Sequence, residues 1–384
     1  AAEHAGPAVV ISFVLAGIVA GLTALCYAEL ASMIPAAGST YSYALAAFGS
    51  FIGWFIGWDL LLEYLFAAST VAVGWSGYLV SFLTTTLGLP FPAELATAPI
   101  TWTNGEFVRT AGVINLPAVL IVAAVSGLCY VGITQSAFAN AIVVAIKVAV
   151  IAAFLGFGFQ YVDPANWTPF IPENTGPGQF GTEGVLRAAT IVFFAYIGFD
   201  AVSTAAGEAK NPQRDMPIGI LGSLAIVTLL YMAVSLVITG MQNYSDIDPE
   251  DAAPLATAFD AVGVEWMGNL IAIGACIGLT VVVMILMLGQ TRVAFAMARD
   301  GLLPRGLAKV HPTFRTPYKI TLVTGVAVAA LAGFIGLETL AHLVNIGTLF
   351  AFILVSVGVV VLRRTRPDLP RSFRVPAAPL VATV

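Results

Sequence analysis

The segment Ala188–Pro217 reads AATIVFFAYIGFDAVSTAAGEAKNPQRDMP. It starts as an apolar run fit for a bilayer. Gly198 and Asp200 then fall within three residues, with Ser203 and Thr204 close behind. Glycine weakens a helix by about 1 kcal/mol relative to alanine. An aspartate at the centre of a membrane helix costs about 2.5–3.5 kcal/mol on insertion scales. A membrane helix can open only where the freed backbone is buried in protein or lines a watery cavity. Two readings follow. In one the helix is discontinuous: carbonyls of Phe194, Ala195 and Ile197 face a substrate cation, and Asp200 holds the break. In the other the helix is unbroken, Gly198 is a packing notch and Asp200 lies near the water interface.

The rest of the chain puts this segment in a membrane. Of 384 residues, 59% are hydrophobic and 10% charged, and the mean hydropathy is +0.94. A soluble domain carries about 25% charged residues, so this chain cannot cover a water-facing surface. Its apolar runs reach the roughly 20 residues a spanning helix needs and exceed the roughly 10 of a barrel strand. Nine spans are expected, at 8–33, 50–84, 116–134, 138–161, 185–206, 217–240, 266–297, 319–336 and 342–362. Cys26, Cys129 and Cys276 all lie in apolar runs and read as buried small hydrophobes rather than a disulfide or metal set.

Lys and Arg in short loops stay on the cytoplasmic side. Lys210 and Arg214 follow the fifth span, Arg299 to Lys319 the seventh, and Arg363 to Arg374 the ninth, while the intervening loop 241–265 is acidic. Counting back puts Ala1 outside the cell, without Met or a signal pattern. A missing preceding span is therefore expected, and RVPAAPLVATV reads as the start of another apolar run. The second and seventh spans both exceed 30 residues, and the first and sixth both open at a proline, Pro7 and Pro217. A shift of five spans inverts direction in the membrane, the mark of an inverted repeat in a secondary transporter. The expected divisions are 1–161 for the remainder of the first repeat, 162–184 for an extracellular loop, 185–362 for the second repeat, and 363–384 for a cytoplasmic connector and the start of a further helix.

FFAYIGFDAVSTAAGEAKNPQRDMPIGI resembles the sixth helix and following loop of bacterial amino-acid permeases of the APC superfamily, in the branch named for cationic amino acid transporters. CYAELASMIPAAGSTYSYA, GWDLLLEY, AVGWSGY, GQTRVAFAMARDGLLP and NIGTLFAF agree in order and spacing. The resemblance covers nearly the whole chain. It implies an all-α polytopic fold of the LeuT type, a five-plus-five inverted repeat, here lacking the first helix and the helices after the tenth. It also implies an amino acid substrate whose amino group is bound by backbone of the broken sixth helix, at Phe194, Ala195 and Ile197. Exposed carbonyls carry partial negative charge, so they suit an ammonium.

Lys147 stands alone in VVAIKVAVIAAF, about ten residues into its span and too deep to snorkel easily. Burial works against the charged form of an ammonium, and intramembrane ionisable groups mark ion paths by default. In resembling permeases a lysine here takes the place of a sodium ion, which implies proton coupling and contact with carbonyls. The plainer reading is a permanently charged structural pin.

Glu63 and Asp59 are four residues apart, on one helix face. Glu63 reads either as a transport residue or as a structural hydrogen bond at a helix contact. Glu29 reads as a loop pin or a snorkelling group. Glu338 and His342 should be solvated. Leu286 is implied by the resemblance to line the side-chain pocket. Gly347 and Thr348, in the stretch that resembles the tenth helix, read either as gating support or as ordinary packing. No acid clearly belongs to that pocket, so small or neutral L-amino acids are favoured over cationic ones. The expected function is proton-coupled import of amino acids by alternating access, in the plasma membrane. The alternatives are a cationic amino acid uniporter or exchanger and, in another class, a retinal-binding photoprotein. No HExxH, histidine cluster or GxxxxGK[ST] loop supports an enzyme or ATP drive, and no cofactor or metal is expected. The expected partners are substrate, protons and membrane lipids. No basic-aromatic surface suggests nucleic acid; the arginine clusters read as retention signals or lipid-headgroup contacts.

Overall fold

The computed structural model describes the chain except residues 35–37, 104–105, 133–136, 205, 207–208, 249–250, 252 and 383–384. Among the described residues seven helices are long and apolar enough to cross a membrane, and two shorter apolar helices complete the nine expected spans. Span one is a short α1 (Ala2–Ala5), a 3-10 turn at Gly6–Ala8 and α2 (Val9–Met33). A nine-residue α3 (Thr40–Phe48) follows and ends at Gly49, whose φ of 88° admits little but glycine. Span two is α4 (Ser50–Ser81), prolonged by a π turn at Phe82–Thr86.

A small antiparallel hairpin, β1 (Ile100–Thr103) and β2 (Glu106–Arg109), lies between α4 and α5 (Leu116–Val131). Asn115 caps α5: its side-chain oxygen accepts from the Ala118 N–H at 3.2 Å and the Ser76 hydroxyl at 2.6 Å. α6 (Ala137–Gly158) is the fourth span. The fifth holds α7 (Gly181–Val192) and the six-residue α8 (Phe199–Thr204). The sixth is α9 (Pro212–Met241), so it opens at Pro212 rather than at Pro217, which sits inside the helix. A proline at the first helical position loses nothing, because that N–H has no partner in any helix. The remaining helices are α10 (Pro254–Ala261), α11 (Glu265–Arg299), α12 (Tyr318–Phe334), α13 (Leu337–Thr365) and α14 (Ala378–Val381).

The neighbours follow one rule. α2 packs on α9, α4 on α11 and α5 on α12: spans one, two and three each meet the span five places on. α13 lies against α4 and α2, and α6 lies against α11 and α9, the same pair of contacts shifted by five. The short α3 before span two and the short α10 before span seven occupy corresponding places. Small residues allow the close approach. A Cβ on Gly57 of α4 would fall 2.4 Å from the Met297 sulfur of α11, and one on Gly274 of α11 would fall 2.5 Å from Val150 of α6.

Burial divides the apolar residues into groups. One is built mainly from α4, α5, α11, α12 and part of α13. A second gathers α2, α7, α9, the lower part of α13 and the segment 369–381. A third closes one end around Phe154, Phe259 and Met267. The fifth span divides between the first two. Phe194, Ile197 and Ala201 join the first group; Phe193, Tyr196, Phe199 and Val202 join the second. That span is the seam between them.

Candidate functional site at the seam

The helical path stops inside the seam. α7 ends at Val192, Phe193–Tyr196 forms a 3-10 turn, and Ile197 is extended with ψ 133°. Gly198 has φ +124°, a region a side chain rarely tolerates. Helix resumes at Phe199. Asp200 holds this geometry. Its Oδ1 accepts the Gly198 N–H at 3.0 Å, a side chain closing back on its own backbone. Its Oδ2 accepts the Tyr64 hydroxyl of α4 at 3.1 Å. Asp200 is wholly enclosed. Its carbonyl accepts from the Ser203 hydroxyl at 2.5 Å, and Ser203 shares a 2.6 Å hydrogen bond with Ser39.

Two of the three carbonyls expected to stand free, those of Phe194 and Ala195, already hold a hydrogen bond. The Phe194 carbonyl accepts the Ile197 N–H at 3.1 Å. The Ala195 carbonyl accepts the Tyr231 hydroxyl of α9 at 2.6 Å. Just before the break, the Thr190 carbonyl accepts from the Asn345 amide at 3.0 Å. An unpaired carbonyl in an apolar interior is costly, and neighbouring helices supply donors. A carbonyl oxygen has two lone pairs, so Phe194 and Ala195 each keep one for a further donor.

Around the break stand several buried polar atoms without partners among the described residues. Both carboxylate oxygens of Glu63, Asp59 Oδ2, Gln290 Oε1 and Asn345 Oδ1 are in this state. Gly347 lets α13 close on the two α4 acids: a Cβ there would lie 3.3 Å from Asp59 Oδ1 and 3.8 Å from Glu63 Cβ. Thr348 lies beside Glu63, but its hydroxyl donates to the Val344 carbonyl of its own helix at 3.0 Å. Gln290 ties α11 to α4 through the Leu61 carbonyl at 3.1 Å. Leu286 is buried with Met284 and Met287 in the first apolar group. No cluster of three or more His, Cys, Asp or Glu gathers as for a metal ion among the described residues.

Lys147 lies elsewhere, on α6, half-buried. Its stem runs along Gly278 of α11, where a Cβ would fall 2.9 Å from Lys147 Cε. Among the described residues it makes no hydrogen bond to a carbonyl, unlike the bridging role the resemblance implies. Tyr64, Tyr231, Ser39 and Asn345 were not singled out by the sequence reading. Tyr64 carried a usable signal: a buried tyrosine on an acidic helix face needs an acceptor for its hydroxyl.

A family model for amino acid permeases matches residues 1–384, the full chain. The chain belongs to the amino acid permease family. The permease is 47% identical over 384 residues to the methylthioribose transporter of Bacillus subtilis (strain 168), covering 100% of this chain and 80% of that relative. It is 46% identical over 380 residues to the branched-chain amino acid permease BcaP of the same organism, covering 99% and 79%. It is 40% identical over 377 residues to the vacuolar cationic amino acid transporter 2 of Arabidopsis thaliana, covering 97% of this chain and 58% of that relative. This similarity agrees with membership of the APC superfamily and with an all-α polytopic architecture. It sets the retinal-binding reading aside in favour of transport.

Proposed function

We propose that the permease is a secondary transporter of the plasma membrane that imports neutral amino acids by alternating access at the seam, coupled to protons. The observation that carries this is the fifth span: its chain is interrupted where two separately packed helix groups meet. Rocking one group against the other moves an interrupted span without tearing a continuous helix. Backbone at the break offers the remaining lone pairs of Phe194 and Ala195, and that of Ile197, to a substrate ammonium. Gly198 supplies the turn and Asp200 fixes it. Leu286 faces the aliphatic part of the substrate within an apolar wall. In this reading residues 1–161 are the remainder of the first inverted repeat and 185–362 the second, joined by the loop 162–184 and followed by 363–384 as the connector and the start of the next helix. The five-span shift in the neighbour pattern supports that division.

Lys147 is the proposed proton carrier. Lacking an ion-pair partner among the described residues, it has no fixed counter-charge holding it protonated. Glu63, Gly347 and Thr348 support the contact of α4 with α13. The neutral preference draws on the apolar wall at Leu286 and on the relative named for branched-chain amino acids. A second reading, carriage of methylthioribose, is favoured by the comparable identity to the transporter so named.

The test is uptake into proteoliposomes by the full chain, with labelled leucine, alanine, arginine and methylthioribose, with and without an inward proton gradient. Leucine or alanine accumulation driven by the gradient is expected. Arginine uptake indifferent to the gradient supports a cationic uniporter instead, and gradient-driven methylthioribose uptake alone supports the second reading.

A further inference from the structure

Glu29, in the last turns of α2, is 1% exposed, yet it is a carboxylate. Three groups converge on it. Arg363, near the end of α13, donates from Nε to Oε1 at 2.9 Å and from Nη2 to Oε2 at 2.5 Å. The backbone N–H of Val375 donates to Oε2 at 2.7 Å. Arg371 Nε lies 3.6 Å from Oε1. The chain between the arginines is wound into shape by Arg371, whose Nη atoms donate to the carbonyls of Leu362, Arg366, Pro367 and Leu369. Ser372 reaches across to the Gln213 carbonyl of α9 at 2.9 Å.

The same segment has an apolar underside. Val375 and Ala378 are buried, and Leu369 and Phe373 are packed, in the group that contains Phe199 and Val202 just beyond the break. Residues 366–381 therefore run beneath the second helix group, bonded at Glu29 of α2, at Gln213 of α9 and at the end of α13. Glu29 thus has two kinds of partner: Arg363 on the rigid α13, and the Val375 N–H with Arg371 on the segment beyond it. The segment can shift while the Glu29–Arg363 pair stays, and water at the membrane surface then takes the place of the Val375 N–H and Arg371.

We propose that residues 366–381 form a strap across the cytoplasmic end of the seam, that Glu29 is its catch, and that releasing the catch opens the path from the seam to the cytoplasm. The strap rests on the alternating-access reading for its purpose. Its test does not require any substrate to move, so a failure of that reading and a failure of the strap are distinguishable. Cytoplasmic placement follows from the arginines at this end.

The experiment uses the full chain with Cys26, Cys129 and Cys276 replaced and one reporter, Val202→Cys, in inside-out vesicles. A membrane-impermeant maleimide is added from the cytoplasmic side and the labelling rate measured. Glu29→Gln removes the charge that both arginines face, and labelling is expected to rise about tenfold, because one partner of a buried pair cannot be lost without strain on the rest. Phe373→Ala loosens the apolar underside without touching a buried charge and is expected to raise labelling in the same direction. Unchanged labelling in Phe373→Ala and in Glu29→Gln, in protein that elutes and melts like the parent, overturns the proposal. So does an equal rise when the maleimide is added from the opposite side, which marks general loosening. If Glu29→Gln does not fold, Phe373→Ala and Ser372→Ala decide.

Discussion

Asp200 is enclosed and both its carboxylate oxygens are engaged, one by the Gly198 N–H and one by the Tyr64 hydroxyl. Lys147 lies half-buried against Gly278 with no ion pair among the described residues. Each is an ionisable group set within an apolar span, but one is built into its surroundings and the other is not. A group with fixed partners holds a conformation. A group without them can change its protonation at smaller structural cost. In the function proposed above, Asp200 belongs to the architecture of the break and Lys147 to the coupling of transport.

The sharpest way to break this comparison is Asp200→Ala. Two buried donors lose their acceptor at once, which should cost about 2–5 kcal/mol, lower the melting temperature of the purified protein and abolish uptake. Asp200→Asn keeps an acceptor and should fall between that variant and the parent. A melting curve for Asp200→Ala that overlays the parent removes Asp200 from its structural role. Lys147→Ala should act on transport without the loss of stability. Gradient-driven uptake should vanish while the melting temperature moves by an amount equivalent to less than about 1 kcal/mol. Uphill uptake that survives intact in this variant ends the coupling role.

Tyr64→Phe isolates one arm of the Asp200 geometry. One hydrogen bond to the Asp200 carboxyl is lost, worth about 0.5–1.5 kcal/mol, with the Gly198 contact retained; thermal melting measures the difference. Gly278→Ala is the mildest test. Its Cβ meets the flexible stem of Lys147 rather than backbone, so stability should change by less than about 1 kcal/mol. The proton dependence of uptake should shift more than the melting point, which a comparison of uptake at two pH values reads.

The spans were legible because each needs only local information, a run of apolar residues of sufficient length. Gly198 and Asp200 stand out for the same reason: both conflict with their apolar neighbours within three positions. The groups that satisfy the break were not legible. Tyr231 lies 36 residues from Ala195, and Asn345 lies 155 residues from Thr190, and nothing local in the sequence specifies those pairings. That is why the carbonyls of Phe194 and Ala195 read as open when each already holds one hydrogen bond. α3 and α10 were passed over because helices of nine and eight residues leave little periodicity between longer apolar runs. Glu29 was legible as a loop pin, since an acid at the end of a span must find water or a cation. That its catch includes the amide of Val375 was visible only once the chain had folded back.

The third and eighth spans, α5 and α12, have 16 and 17 residues, about 24 and 26 Å of helix at 1.5 Å per residue. That is less than the roughly 30 Å thickness of a hydrocarbon core. They lie side by side, and Leu120, Leu128, Leu322 and Val326 leave their outer faces apolar. The shortfall is thus gathered on one flank. Where lipid meets that flank its tails compress, at a cost of fractions of a kcal/mol per Å, which makes it the thin side of the described helices. Bilayers of shorter acyl chains relieve the thin side, and so does any neighbour that covers it. Lipid thickness thereby becomes a force on how these molecules gather in the plane of the membrane.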